Sequence, residues 1–243
     1  YYYPIYSSKF KWSDDMPFLV KMDYQKPRLP YLEINIFSRC NLNCKGCSTA
    51  ANIAKPNIVT IEELRDSYRL LNEKFSGIKF LKLFGGEPLL HPELGGIVEL
   101  SRQCWPDANI VVHSNGIAVP DMDEETLEVM NKYDIGFEFT LYPETGKKRR
   151  IIEQKIGKAG VEGRFRFPVY QFYKVINPKG DYDADEVYKY CGKCVNLRDG
   201  KLSCGMDTLI ETLEDHYGVS ICEDKYGHTI NLYKTELDGE GIN

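Results

Sequence analysis

From Leu32 onward the chain alternates short apolar runs with longer stretches whose apolar residues recur at helical spacing. Strands are expected at Leu32–Ile36, Phe80–Phe84, Asn109–His113, Ile135–Tyr142 and Arg164–Val169. Helices are expected at Ile61–Phe75, Pro92–Cys104, Asp123–Tyr133 and Thr145–Lys158. Thr60 is a fitting N-cap for the first of these, with Glu63 at the capping-box position. The second stops before Trp105-Pro106, and the fourth ends at Gly160. Strands alternating with helices predict βαβ units and a parallel sheet, hence an α/β fold built as a partial or full (β/α) barrel. In such a barrel the chemistry sits at the carboxyl ends of the strands.

Either side of this region the pattern changes. Residues 1–30 carry many aromatics and four prolines without a period, and read as an irregular lead-in. The barrel core is expected to span 31–176. Asn177–Asp181 has loop chemistry and opens a cysteine-rich segment, 177–243. There Val195–Leu197 and Lys201–Cys204 read as a hairpin turning at Asp199-Gly200, and Thr208–Tyr217 as a short helix closed by Gly218.

Composition narrows the function. The formal net charge is −5 with both signs interspersed, which argues against a nucleic-acid or anionic-membrane partner. No run approaches the about 18 apolar residues of a membrane span, and the start shows no signal-peptide pattern. The chain begins with Tyr, as expected of a segment of a longer protein. Its eight cysteines are clustered, three at 40–47, one at 104 and four at 191–222. In a long, strongly patterned chain such clusters suit metal better than a disulfide scaffold, and thiolates kept reduced point to the cytoplasm.

The first cluster is Cys40-Asn-Leu-Asn-Cys44-Lys-Gly-Cys47. Asn41, Asn43 and Gly46 favour tight turns that aim three thiolates at one centre. Three ligands are one short of a closed iron–sulfur or zinc site, so one metal position stays open, as a catalytic site requires. A zinc knuckle or a set of reactive thiols is the plainer alternative.

The Cys-x3-Cys-x2-Cys spacing resembles the radical S-adenosylmethionine (radical SAM) superfamily, in which SAM chelates the open iron of a [4Fe-4S] cluster. Gly85-Gly86-Glu87-Pro88, after the second strand, resembles its GGEP motif, which lies against the SAM amino group. His113-Ser114-Asn115-Gly116 resembles the place where members contact SAM with Ser, Thr or Asn. Either stretch alone reads as an ordinary turn; three motifs in order at successive strand ends outweigh that reading. The resemblance covers residues 31–170 and implies a partial (β/α)6 barrel. It implies Cys40, Cys44 and Cys47 as cluster ligands, and Gly85, Gly86, Glu87, Pro88, Ser114, Asn115 and Thr140 as cofactor contacts. Gly46 departs from the family's usual aromatic residue, so the adenine contact is sought elsewhere, at Phe37.

The implied reaction begins with an external donor of flavodoxin or ferredoxin type. The reduced cluster cleaves SAM to methionine and a 5′-deoxyadenosyl radical, which takes a hydrogen atom from substrate. The substrate is expected to be a sugar, nucleotide or amino-acid derivative. The alternatives are a maturase of a ribosomally made peptide, a glycyl-radical activase (encouraged by Gly46), and an iron–sulfur or zinc protein without turnover.

Cys191, Cys194, Cys204 and Cys222 flank the expected hairpin and helix, and resemble the auxiliary-cluster domains called SPASM and, in the shorter form, twitch. That implies a second [4Fe-4S] cluster; four-thiolate zinc is equally permitted by the residues, and a free Cys222 would be a hydrogen-atom donor. Arg164 and Arg166 share a strand face, either lining the barrel to bind an anion or facing outward to surface acids. Tyr142 ends the fourth strand near the same space. Lys147–Arg150 reads as a solvated helix face, Cys104 as buried packing, and His91, His216 and His228 as surface or loop residues.

Overall fold

The computed structural model describes residues 26–171, 183, 194–198, 200–204, 207–220 and 230–233. In chain order the strands are β1 (Arg28–Leu29), β2 (Leu32–Phe37), β3 (Gly77–Ile78), β4 (Phe80–Gly85), β5 (Asn109–Ser114), β6 (Gly136–Phe139), β7 (Gly163–Phe165), β8 (Val195–Arg198), β9 (Lys201–Cys204) and β10 (Ile230–Asn231). The helices are α1 (Ile61–Lys74), α2 (Leu94–Cys104), α3 (Glu124–Lys132), α4 (Pro143–Lys158) and α5 (Asp207–Tyr217). Among the described residues one large sheet has the order β10-β9-β8-β2-β4-β5-β6-β7. From β8 to β7 every neighbouring pair is parallel.

Alternation along the strands divides the two faces. Leu32, Ile34 and Ile36 of β2 and Leu81 and Leu83 of β4 are fully buried in the core beneath the helices. The intervening positions, Glu33 and Lys82, are register partners and turn to the opposite, inner face. Each of α1 to α4 presents a stripe to the outer face: Leu64, Tyr68 and Leu71 from α1, Ile97 and Val98 from α2, Leu127 and Met130 from α3, Ile152 and Ile156 from α4. Tyr68 joins α1 to α2 through its hydroxyl, 2.8 Å from Ser101 Oγ, and meets Trp105 edge-on. The Thr60–Glu63 capping box forms with both bonds present.

Two strands end earlier than their apolar runs. After Phe139 the chain turns, with Tyr142 N donating to Thr140 O, and Pro143 opens α4. Proline suits the first helical position, which is why α4 begins before Thr145. Beyond Phe165 the pairing persists as Arg166 N to Phe139 O and Val169 N to Leu141 O, interrupted by Pro168, which has no N–H.

The hairpin of the cysteine-rich segment is attached to this sheet. β8 lies parallel against β2, with Glu33 paired to Asn196. Gly200 makes the turn at φ 66°. Cys191, Cys222, His228, the loop at 177–181 and most of the 1–30 lead-in lie outside the described residues. Among the described residues no helix is long and apolar enough to cross a membrane.

Candidate active site at the carboxyl ends of the strands

β2, β4, β5 and β6 end side by side; the first three each deliver a sequence motif to one place, and β6 brings Thr140 and Tyr142. The chain leaves β2 at Phe37 and enters the cysteine loop. Gly86 N donates to Phe37 O at 2.7 Å and Glu87 N to Arg39 O at 2.8 Å, so the Gly-Gly-Glu-Pro turn is laced onto the start of that loop. A Cβ on Gly85 would lie 2.3 Å from Phe37 O, and one on Gly86 2.3 Å from Arg39 O. The glycine pair is thus required first by backbone against backbone, where the sequence suggested approach to a ligand.

The three thiols gather at this point. Burial pushes the Cys40 thiol pKa upward, and the negative charges of Glu87, Cys47 and Cys44 add to the effect. Cys44 is raised by burial and then by Cys47. Cys40 Sγ accepts from Leu42 N at 3.4 Å and Asn115 Nδ2 at 3.6 Å, and Cys47 Sγ lies 3.2 Å from Thr49 Oγ1. Tyr142 stands beside the trio: its hydroxyl is pushed to about 12 by burial and by Cys44, Cys47 and Cys40.

Glu87 is fully buried and works as a strut. Oε1 accepts from Ser114 Oγ at 2.6 Å and Leu89 N at 3.1 Å, and Oε2 from Asn115 N at 2.9 Å. Burial raises its pKa to about 6 against those donors. Asn115 continues the brace, with Nδ2 2.7 Å from Asn41 Oδ1 and its carbonyl accepting from Thr145 Oγ1 of α4 at 2.6 Å. Gly116 turns away at φ 75°, against the Phe139 ring.

Below the motifs the inner face is charged. Lys82 Nζ lies 2.9 Å from Glu33 Oε1, which also accepts from Tyr31 OH at 2.5 Å. His113 Nδ1 lies 3.0 Å from Glu138 Oε2, and His113 Nε2 lies 2.9 Å from Thr140 Oγ1. Arg166 Nε stands 3.9 Å from Glu138 Oε1. Burial opposes charge on Glu138, but the bond to His113 and the charges of Arg166 and Lys82 outweigh it and hold its pKa well below the usual carboxylate range. Burial lowers the His113 pKa, against the pull of Glu138. Arg164 is the register partner of Glu138, so the strand face carrying both arginines is the inner one; Arg164 itself is exposed.

Glu33, Lys82 and Glu138 escape a search by motif. Their signal is a lone charge between apolar neighbours, as in Leu-Glu-Ile, Leu-Lys-Leu and Phe-Glu-Phe. A parallel strand covered by helices on its outer face can carry such a charge only inward. His91 also differs from expectation: it is buried, edge-on to Phe37, with Nδ1 accepting from Glu93 N and Nε2 bonded to Val59 O. Phe37 is itself buried in the core. Cys104 is half-buried against the core. The Lys147–Arg150 run is engaged locally: Lys147 with Glu144, Lys148 with Ile117 O, Arg149 with Glu153.

Among the described residues no three Cys, His, Asp or Glu side chains converge as one metal ion requires. Cys44 and Cys47 nevertheless stand near enough to Cys40 to raise its pKa, and Cys47 near enough to Cys44 to do the same. A cubane cluster distributes its protein ligands over different irons, whereas zinc draws all of its ligands to a point, so these three residues fit a cluster. In the tail, Val195 is paired with Cys204. The backbone therefore brings positions 194 and 204 to one end of the hairpin, beside the amino-terminal end of β2 and away from the 40–47 loop.

A family model described as the Radical SAM superfamily matches residues 34–168, more than half of the chain. A GTP 3′,8-cyclase of Peptoclostridium acidaminophilum is 32% identical over 109 residues, 44% of this chain and 33% of that protein. The molybdenum cofactor biosynthesis protein 1 of Bos taurus is 32% identical over 108 residues, 42% of this chain and 17% of that protein. The chain thus spans a third or less of these curated relatives. Among solved structures, BtrN in complex with AdoMet and 2-DOIA is similar at a TM-score of 0.47 and 16% identity, covering 83% of this chain and 85% of that one.

Proposed function

Because this chain belongs to the radical SAM superfamily, we propose that it is an enzyme that cleaves SAM reductively and turns the resulting radical on a small polar molecule held against the inner face of its sheet. The observation that carries the reading is the stacking of two layers. Three cysteines, Cys40, Cys44 and Cys47, follow the carboxyl end of β2, with Cys40 held against Asn115 at the end of β5, and the paired charges of Glu33–Lys82 and His113–Glu138–Arg166 line the face below.

Cys40, Cys44 and Cys47 would hold a [4Fe-4S] cluster, which when bound supplies the electron that breaks the SAM sulfonium and releases a 5′-deoxyadenosyl radical. The chain's own residues shape the surroundings. Gly85, Gly86, Glu87 and Pro88 fix the entry of the cysteine loop, and Ser114, Asn115 and Thr140 set the rim beside it. Tyr142, half-buried next to the thiols, helps exclude water from that rim. Lys82 and Arg166 offer donors, and Glu33 and Glu138 acceptors, to a ligand rich in hydroxyl or charged groups.

That chemistry suits a sugar, nucleotide or amino-acid derivative. The relatives named GTP 3′,8-cyclase make a purine nucleotide the first substrate to assay. An external flavodoxin or ferredoxin would deliver the electron. A second [4Fe-4S] cluster on Cys191, Cys194, Cys204 and Cys222 would occupy the 177–243 domain beside the 31–176 barrel. Thiolates kept reduced for two clusters would suit the cytoplasm.

Reconstituted protein with dithionite and SAM should release 5′-deoxyadenosine, and replacing Cys40, Cys44 or Cys47 with Ala should abolish it. Release that survives these substitutions would overturn the assignment. About eight iron and eight sulfide per chain would support two clusters; about four iron with one zinc would replace the tail cluster by zinc.

A further inference from the structure

We propose that Asn115 is a positioning residue that sets how easily the cluster is reduced, by donating a side-chain N–H to the sulfur of Cys40. The inference rests on the cluster assignment above. It begins from the way Asn115 is held. Its main-chain N–H donates to Glu87 Oε2 at 2.9 Å, and its main-chain carbonyl accepts from Thr145 Oγ1 at 2.6 Å. Its Oδ1 accepts from Ile117 N at 2.9 Å. That last bond fixes which end of the carboxamide is oxygen, because a backbone N–H can meet only an acceptor. The NH2 end must then face the cysteine loop.

There Nδ2 has two hydrogens and two partners. Asn41 Oδ1 lies at 2.7 Å and Cys40 Sγ at 3.6 Å. Leu42 N is a second donor to the same sulfur, at 3.4 Å. Asn115 is itself buried, so water does not compete for the donor. With Cys40 bound to iron, reduction places more negative charge on its sulfur. A fixed N–H dipole aimed at that sulfur stabilises the reduced state more than the oxidised one, and the potential rises. Glu87 and Thr145, by clamping the main chain of Asn115, keep the donor on target.

The test is a redox titration of the SAM-free cluster, followed by electron paramagnetic resonance, in wild type, Asn115→Leu and Asn115→Asp. Leucine keeps the volume and removes the donor without adding charge, so its potential should fall below that of wild type. Aspartate keeps the acceptor for Ile117 N and should fall further, because charge is added as well. In wild type with asparagine side chains labelled with 15N, pulsed resonance should show a coupling that Asn115→Asp removes. An Asn115→Leu cluster titrating at the wild-type potential overturns the proposal. If Asn115→Leu fails to take up a cluster, the labelled experiment decides: a coupling removed in Asn115→Asp supports the donor, and its absence from wild type overturns it. Failure of wild type to load any [4Fe-4S] cluster would instead overturn the proposed function.

Discussion

Replacing Gly86 with Ala tests the lacing between the second-strand turn and the cysteine loop. An added Cβ would lie 2.3 Å from Arg39 O, 2.5 Å from Arg39 C and 2.7 Å from Ser38 O. All three are backbone atoms, so no side chain can swing away. The turn must retreat from the loop, stretching the bonds from Gly86 N to Phe37 O and from Glu87 N to Arg39 O. Two backbone hydrogen bonds contribute about 1 kcal/mol each, and overpacking costs about 1–3 kcal/mol. A destabilisation of about 3 kcal/mol is expected, seen as a lower urea midpoint with an unchanged slope. Gly157 is the internal control. It is exposed near the end of α4, and a Cβ there meets nothing within 4 Å. Gly157→Ala should stabilise by about 0.5–1 kcal/mol. The same methyl should thus have opposite signs at two sites. A Gly86→Ala midpoint equal to wild type would refute the reasoning.

Glu87 should leave a signature in pH. Its folded pKa, about 6, lies above the ordinary 4.5, so the folded chain holds the proton more tightly than the unfolded one. Stability from this group is fully present below about pH 4.5 and falls by about 2 kcal/mol as pH rises through about 6. The difference between wild-type and Glu87→Gln unfolding curves across that window isolates it; a difference that does not vary with pH would contradict it. Lys82→Met should leave the Glu33 carboxylate without its cation and cost about 3 kcal/mol, while Glu33→Leu/Lys82→Met together should recover most of the loss. A double-mutant cycle with no coupling would show that the pair does not interact.

What the sequence alone determined were features with local causes. The period of the apolar residues separates strand from helix because side chains repeat every two or about 3.6 positions. Thr60 and Glu63 set the start of α1 through groups within a few residues. The three motifs are legible because each needs its own residue types at a fixed spacing. Tertiary structure decided what depends on neighbours remote in the chain. Only the register of adjacent strands shows that Glu33 meets Lys82, and that His113 meets Glu138 near Arg166. Only packing shows that the glycine pair serves Phe37 and Arg39, and that Asn115 reaches Cys40 across 75 residues. The docking of the tail hairpin against β2 is of the same kind. Such contacts join segments whose local preferences are satisfied with or without them, so no local pattern records them.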